Sequence, residues 1–319
     1  MPRPPRATAA LAASALLWAA VTAVAGCGGS SADPGGPTVT VRATSEFGRD
    51  TILSEEGAPL SGHRTVLRAL EGYAKVGTIF DGSNIESIDD RYTQSLPYAT
   101  AWSIVVNGIE ADEGPNTYEL HPGDVAQADL RYWETALDVR ATVGAFPQTF
   151  TRGVYGRRFP VTVRCERPSS PACGRVERAL ERAGVATDGS PPGGRRPARG
   201  QPRRAVVLVG RWDRWRDRPW PARIDEGPEA SGVFARFTPS GDAIELLDWQ
   251  GRPVRSEGAG AGLVAAMRPT EHDLLWLVTG VDQHGVDHAS RALTSPNLHG
   301  AFAAIATATS LDKIPLPPR

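Results

Sequence analysis

Apolar and polar positions change rhythm several times along the 319 residues, and each change predicts an element. Ala10 to Val24 is an almost unbroken apolar run, too short for an ordinary membrane span. Residues 28–36, Gly-Gly-Ser-Ser-Ala-Asp-Pro-Gly-Gly, hold nothing that builds a core and read as a flexible tether. From there Val39, Val41 and Ala43 alternate with Thr38, Thr40, Arg42 and Thr44, the pattern of a half-buried strand. A turn at Glu46-Phe47-Gly48 and a second strand near Thr51–Ser54 predict a hairpin. After Ser61-Gly62-His63-Arg64-Thr65, the three-and-four spacing of Val66, Leu67, Ala69, Leu70 and Tyr73 predicts a helix, closed by Gly77. An extended piece at Ile85–Ile88 and strands over Ala101–Asn107 and Asp124–Trp133 complete the first half.

The second half has a different grain. Ala141 to Phe159 is a bridge rich in Gly, Pro and Phe, followed by a strand, Phe159–Arg164. Pro171 opens a helix with Val176, Ala179, Leu180 and Ala183 on one face and Gly184 at its end. Residues 188–204 are Pro, Gly and Arg of low complexity. They read as a disordered loop inside the second domain, the alternative being a true domain boundary. Ala205–Val209 and Asp273–Thr279 are continuous apolar runs, as expected of strands buried on both faces. Trp212–Ile224 predicts a helix broken by prolines, and Gly232–Phe237 with Ala243–Trp249 a hairpin around Pro239–Asp242. Gly260–Met267, Asp287–Leu293 and Ala301–Ala308 read as helices. The expected organisation is a signal over 1–26, a tether over 27–36, an α+β domain over 37–140, a bridge over 141–158 and an α/β sandwich with a mixed sheet over 159–312.

Arg3 and Arg6 precede the first apolar run, and Val24-Ala25-Gly26-Cys27 follows it. That tetrapeptide resembles a lipobox, which implies acylation of Cys27 and a lipid anchor on the outer face of the cell membrane. A plain secretory signal and an uncleaved amino-terminal anchor are the alternatives, and each also places the body outside the cytoplasm. Lysine occurs only at 75 and 313, with arginine elsewhere, a bias expected of a GC-rich gene. Loss of Arg3 and Arg6 with the signal takes the formal charge from −1 to −3, which removes any bulk electrostatic case for nucleic acid. With Cys27 assigned to lipid, Cys165 and Cys173 are left to pair in an oxidising compartment. Two free thiols or half of a metal site are the other readings.

Trp102-Ser-Ile-Val-Val-Asn107-Gly108 followed by Tyr118-Glu-Leu-His-Pro-Gly123-Asp124 resembles the signature of the DUF4430 family, which is similar to the carboxy-terminal domain of transcobalamin. The resemblance covers Thr38 to Trp133. It implies a β-grasp domain of the soluble-ligand-binding group and capture of a small solute, such as a corrinoid, for an uptake system. Trp102, Asn107, Tyr132 and Trp133 are the first candidates for ligand contact. The chain departs from the family pattern at Ile104-Val105-Val106, where members carry aromatic residues. Each signature residue also has a structural account, because Asn-Gly and Gly-Asp pairs serve tight turns and a tryptophan fills space between sheet and helix.

In the second domain the ends of two buried strands lead into Gly210-Arg-Trp-Asp-Arg-Trp215 and Gly280-Val-Asp-Gln-His284. If those strands are parallel, Arg211, Trp212, Asp213, Trp215 and Asp282 converge at one crevice, a lining suited to a planar, glycan or anionic ligand. The plainer reading has the tryptophans covering the sheet while the charges stay solvated. His284 and His288 are four apart, but a third ligand is not evident and Gly285 interrupts the turn, so no metal site is expected. Gly258-Ala-Gly-Ala-Gly262 lacks the lysine and hydroxyl of a phosphate loop. No nucleophile or metalloprotease motif is present, and nothing argues for an enzyme. The expectation is therefore a lipid-anchored binding protein with a possible transporter partner and no cofactor beyond a cobalamin-type ligand. The competing class is an envelope protein that binds wall polymer or a membrane partner.

Overall fold

The alternation that starts at Thr38 becomes β1 (Thr38–Ser45), with Val39, Val41 and Ala43 buried. The computed structural model describes residues 36–60, 62, 64–95, 99–188, 204–294 and 296–319; the signal, Cys27 and residues 189–203 lie outside them. Glu46 and Phe47 take positive φ of 52° and 61° in the turn to β2 (Asp50–Pro59). The Thr65 hydroxyl caps α1 (Val66–Glu71) by accepting from the Arg68 N–H at 3.3 Å. The helix stops at Gly72, earlier than Gly77. Gly77 instead lies in β3 (Val76–Ile79), where a Cβ would collide with the Ser87 hydroxyl on β4 (Asn84–Ile88). After β5 (Arg91–Tyr92) come β6 (Thr100–Val106), β7 (Ile109–Glu110) and β8 (Val125–Tyr132).

Five of these strands form one sheet in the order β2-β1-β8-β6-β7, with β1 and β8 parallel at its centre and the other pairs antiparallel. The three short strands β3-β4-β5 form a separate antiparallel sheet. On β8, Gln127, Asp129 and Arg131 alternate with apolar residues yet are all buried. A strand with polar residues on one face ordinarily turns that face to water. Here the face is covered by the rest of the chain.

The bridge contributes α2 (Gln148–Thr151), and its Phe146 and Phe150 rings pack on Trp276 at 6.0 and 5.0 Å. Main-chain bonds from Val143 and Gly144 to the carbonyls of Phe302 and Ala301 hold it to the second half. There the chain runs through β9 (Val161–Cys165), α3 (Pro171–Arg182), β10 (Arg204–Arg211), α4 (Trp212–Trp215), α5 (Arg223–Glu226) and α6 (Pro228–Ser231). It continues through β11 (Ala235–Phe237), β12 (Ile244–Leu247), β13 (Pro253–Glu257), β14 (Gly262–Thr270), β15 (Asp273–Gly280), α7 (Gln283–Ala292), β16 (Ala303–Ala306) and β17 (Leu311–Ile314). The large sheet is mixed, ordered β17-β16-β14-β15-β10-β9, with β9, β10 and β15 parallel and the others antiparallel.

Two expected helices are strands. Gly260–Met267 falls largely in β14, paired on both sides, and Ala301–Ala308 contains β16, between β14 and β17. Apart from Thr307 both runs lack a polar side chain, so no periodicity separates helix from strand. Burial on both faces decides it. On β15, Leu274, Trp276 and Val278 face a core made with α3 and α7, whereas Leu275 and Leu277 face a second core under β11, β12 and α4. The first of these cores also takes in Val39, Val41, Trp102 and Ile104 of the five-stranded sheet. Residues 35–319 accordingly form one compact unit. The fold is strand-rich α+β with mixed sheets.

Candidate functional site

The parallel strands β10 and β15 do end side by side, with Arg211 opposite Gly280. The residues that follow them nevertheless part company. Trp212 is fully buried and stacks on Phe237 with ring centroids 4.2 Å apart, and Trp215 is buried in the same core. Both indoles therefore belong to the core and not to the surface. Arg211 is engaged by Glu166, whose Oε1 accepts from Nη2 at 2.6 Å and Nε at 3.1 Å while Oε2 accepts from the Arg211 N–H at 2.9 Å. Burial raises the Glu166 pKa, but these bonds outweigh it and hold the carboxyl below its usual range. Asp213 adds a second ion pair to Arg211 at 3.2 Å. Asp282 caps α7 by accepting from the Gly285 N–H at 2.8 Å and also accepts from Gly260 at 2.9 Å. Burial opposes ionisation there too, and the two amides overcome it. These bonds tie the polar groups at the strand ends to one another and to neighbouring main chain.

The Asn107 and Tyr118-to-Asp124 signature is a staple. Asn107 and Gly108 both take positive φ, 53° and 78°, as a two-residue hairpin turn of the inverse type requires. The buried Asn107 amide donates to Asp124 Oδ1 (2.8 Å) and the Gly153 carbonyl (3.0 Å), and its oxygen accepts from Val125 (2.9 Å). Asp124 Oδ2 accepts from the His121 N–H at 2.8 Å. Tyr118 stacks on Tyr155 at 4.6 Å, and burial pushes its hydroxyl above the usual tyrosine range. Tyr132 leans on Trp249 and bonds Glu134. Asn107 and Tyr132 therefore act within the fold.

Trp102 and Trp133 differ. Both line a cleft of about 480 Å³ between β4, the free length of β6 and the segments on either side of it. Ser83, Asn84 and Ile85 form one wall; Trp102, Ser103 and Ile104 form the other. Trp102 is 8% exposed, whereas Trp133 and Leu137 stand out at the mouth at 43% and 67%. Inside, Glu110 Oε1 accepts from Ser103 Oγ at 3.0 Å and from Arg131 Nη2 at 2.9 Å, and Arg131 lies over the Phe302 ring at 5.5 Å. Arg131 Nη1 and Trp102 Nε1 are buried without a hydrogen-bond partner among the described residues. Asp112 at the rim is clamped by Arg140 (3.1 Å) and by Arg268, which reaches over from β14 to both of its oxygens at 3.1 and 2.7 Å. Aromatic surface with a few convergent polar groups is the usual makeup of a small-ligand site.

Sequence reasoning missed Ser103, Glu110, Asp112 and Arg131. The alternation of Gln127, Asp129 and Arg131 along β8 was a signal for a polar face, but nothing in it indicates that Phe302 and Glu110 enclose it.

Cys165, at the end of β9, and Cys173, in the first turn of α3, form a disulfide with Cα atoms 5.9 Å apart. Glu177 brings an oxygen near them, the one cluster of three such donors among the described residues, but two disulfide sulfurs offer no thiolate to a metal. His284 is exposed, and His288 Nδ1 bonds the Gly260 carbonyl at 2.8 Å. Gly285 does not interrupt the helix: it sits inside α7, where a side chain would strike the Ala261 carbonyl. Gly262 likewise faces the Gly285 carbonyl, so the glycine-rich stretch serves the packing of α7 on β14. Compared with known proteins, the chain matches no family model and no curated sequence.

Proposed function

We propose that this chain is a lipid-anchored, extracytoplasmic binding protein whose cleft beside β6 holds a small solute and presents it at the membrane face, with a transporter as its natural partner. The observation that carries the reading is the cleft itself: two tryptophans, Arg131 and Ser103 converge on a space of a size that small ligands fill. The strand order β2-β1-β8-β6-β7, with a parallel central pair and α1 between β2 and β6, agrees with a β-grasp module and supports the resemblance to the DUF4430 family. The Val24–Cys27 lipobox supports the anchor. A corrinoid, the solute implied by that resemblance, is too bulky for the cleft to enclose and would lie across its mouth against Trp133 and Leu137.

The test is a panel of probes, cyanocobalamin, maltotriose, adenosine and a tetrapeptide, titrated into the mature protein while tryptophan fluorescence and thermal stability are followed. At least one class should bind saturably and lose about tenfold in affinity in Trp133→Ala, the loss expected for one aromatic contact of about 1.4 kcal/mol. Absence of saturable binding by every class, or binding indifferent to Trp133, refutes the solute reading.

A further inference from the structure

The strand beside the cleft has an unfinished edge. Along β6 the odd positions face β8: the Asn107 N–H reaches Val125 at 2.8 Å, and Ala99 accepts from Trp133 at 3.3 Å. The even positions face the other way. Thr100 exchanges main-chain bonds with Gln94 at 2.8 and 3.3 Å, and the Ile104 carbonyl accepts from Ala111 at 2.9 Å. Trp102 lies between them, so its N–H and C=O point out of the sheet, and neither has a partner among the described residues. The cause is the brevity of β7, which pairs only with Val105 and Val106 before the chain turns away. A bare strand edge is a template for another strand, and proteins normally cover or blunt it. This one opens into the cleft.

Charge narrows the occupant. Glu110 is paired with Arg131, and Asp112 with Arg140 and Arg268. Glu113, exposed on the same lining, has no ion pair among the described residues. At the mouth stand the apolar Trp133 and Leu137.

We propose that the cleft takes a free, extended, cationic peptide that completes the edge of β6. Its main chain pairs with the Trp102 N–H and C=O, a basic side chain meets Glu113, and an apolar side chain rests on Trp133 and Leu137. Thr100 and Ile104 already meet Gln94 and Ala111 on this edge, so the open stretch is Ala101 to Ser103, roughly 10 Å at about 3.3 Å per residue, room for about three residues of an added strand. The inference rests on reading this cleft as the ligand site and names the class of ligand.

The probe is the tetrapeptide Ala-Val-Lys-Ala with its carboxyl terminus amidated, added to the full mature protein. Calorimetry should show saturable binding that weakens about tenfold when each internal amide nitrogen is methylated, which removes the strand-pairing donors without touching the protein. Glu113→Gln should weaken the lysine peptide several-fold and leave the norleucine analogue unchanged. The Trp102 main-chain amide, fast to exchange in the free protein, should slow at least about tenfold at saturation. Equal binding of the methylated peptide, unchanged exchange at Trp102, or no peptide binding overturns the proposal. A non-peptide probe that binds in a Trp133-dependent manner while the peptide does not would refute this inference and leave the solute reading standing.

Discussion

Arg268→Ala tests how the two sheets are held together at the lip of the cleft. Arg268 belongs to β14, and its side chain is only 4% exposed. Its guanidinium makes four bonds: two to Asp112, at 3.1 and 2.7 Å, one to the Glu110 carbonyl at 3.0 Å and one to the Glu271 carbonyl at 3.3 Å. Hydrogen bonds that involve a charged group contribute about 1.5–3 kcal/mol each. They do not add here, because one desolvated cation serves all four and Arg140 stays behind to hold Asp112. Asp112 is also 39% exposed and regains water when Arg268 is gone. The expected loss is about 2–4 kcal/mol, between a surface pair and a fully buried one. Arg268→Lys should recover less than half of it, since an ammonium cannot grip both carboxylate oxygens and two carbonyls from one plane. Urea unfolding followed by far-ultraviolet circular dichroism reads the difference as a shift in midpoint at constant slope. Raising salt to 1 M should alter the wild-type to Arg268→Ala gap little, because the cation is sheltered. A loss below about 1 kcal/mol, or full rescue by lysine, would show that the clamp is not what joins β14 to the cleft.

Replacing both Cys165 and Cys173 by serine opens a ring of sequence separation 8 and should lower stability by about 2.5 kcal/mol, measured by urea titration; an unchanged midpoint would mean that the ring does not restrain the unfolded chain. Burial holds the Asp129 carboxyl above its usual range against bonds from Thr44 (2.6 Å) and the Gly48 N–H (2.9 Å). The protonated acid is then the form the fold prefers, so its contribution is fully present below about pH 3.9 and is lost as pH rises through the higher folded value. Asp129→Asn should thus gain on the wild type as pH climbs from 4, and a gap that stays flat across pH 4–8 would contradict this. Gly262→Ala drives a methyl into the Gly285 carbonyl and should cost about 2–3 kcal/mol, a drop of about 3–5 °C in Tm for a unit of this size; an unchanged Tm would mean that α7 can shift off β14 freely.

Much of the scaffold is legible in local pattern. The two-residue alternation of β1, the Pro171 start and amphipathic face of α3, and the buried run of β10 each follow from rules that act within a dozen residues. The alanine-rich stretches that become β14 and β16 are not legible, because uniform apolarity carries no period and only the neighbouring strands make them extended. Half of the cleft was within reach: Trp102 and Trp133 stand out as tryptophans, whereas Glu110 and Ser103 are unremarkable until the hairpin turns them toward Arg131.

By itself the sequence determined the elements with a clear period, since short-range spacing is enough for them, and it favoured a pairing of Cys165 with Cys173; the expectation of an anchored chain rests on the resemblance of Val24–Cys27 to a lipobox. The tertiary structure decided which polar residues are inside, that Trp212 and Trp215 are core, and that the Trp102 main chain has no partner among the described residues. Those outcomes depend on which strands come to lie side by side across more than a hundred residues. No local pattern encodes where a two-residue β7 stops and leaves its neighbour unpaired.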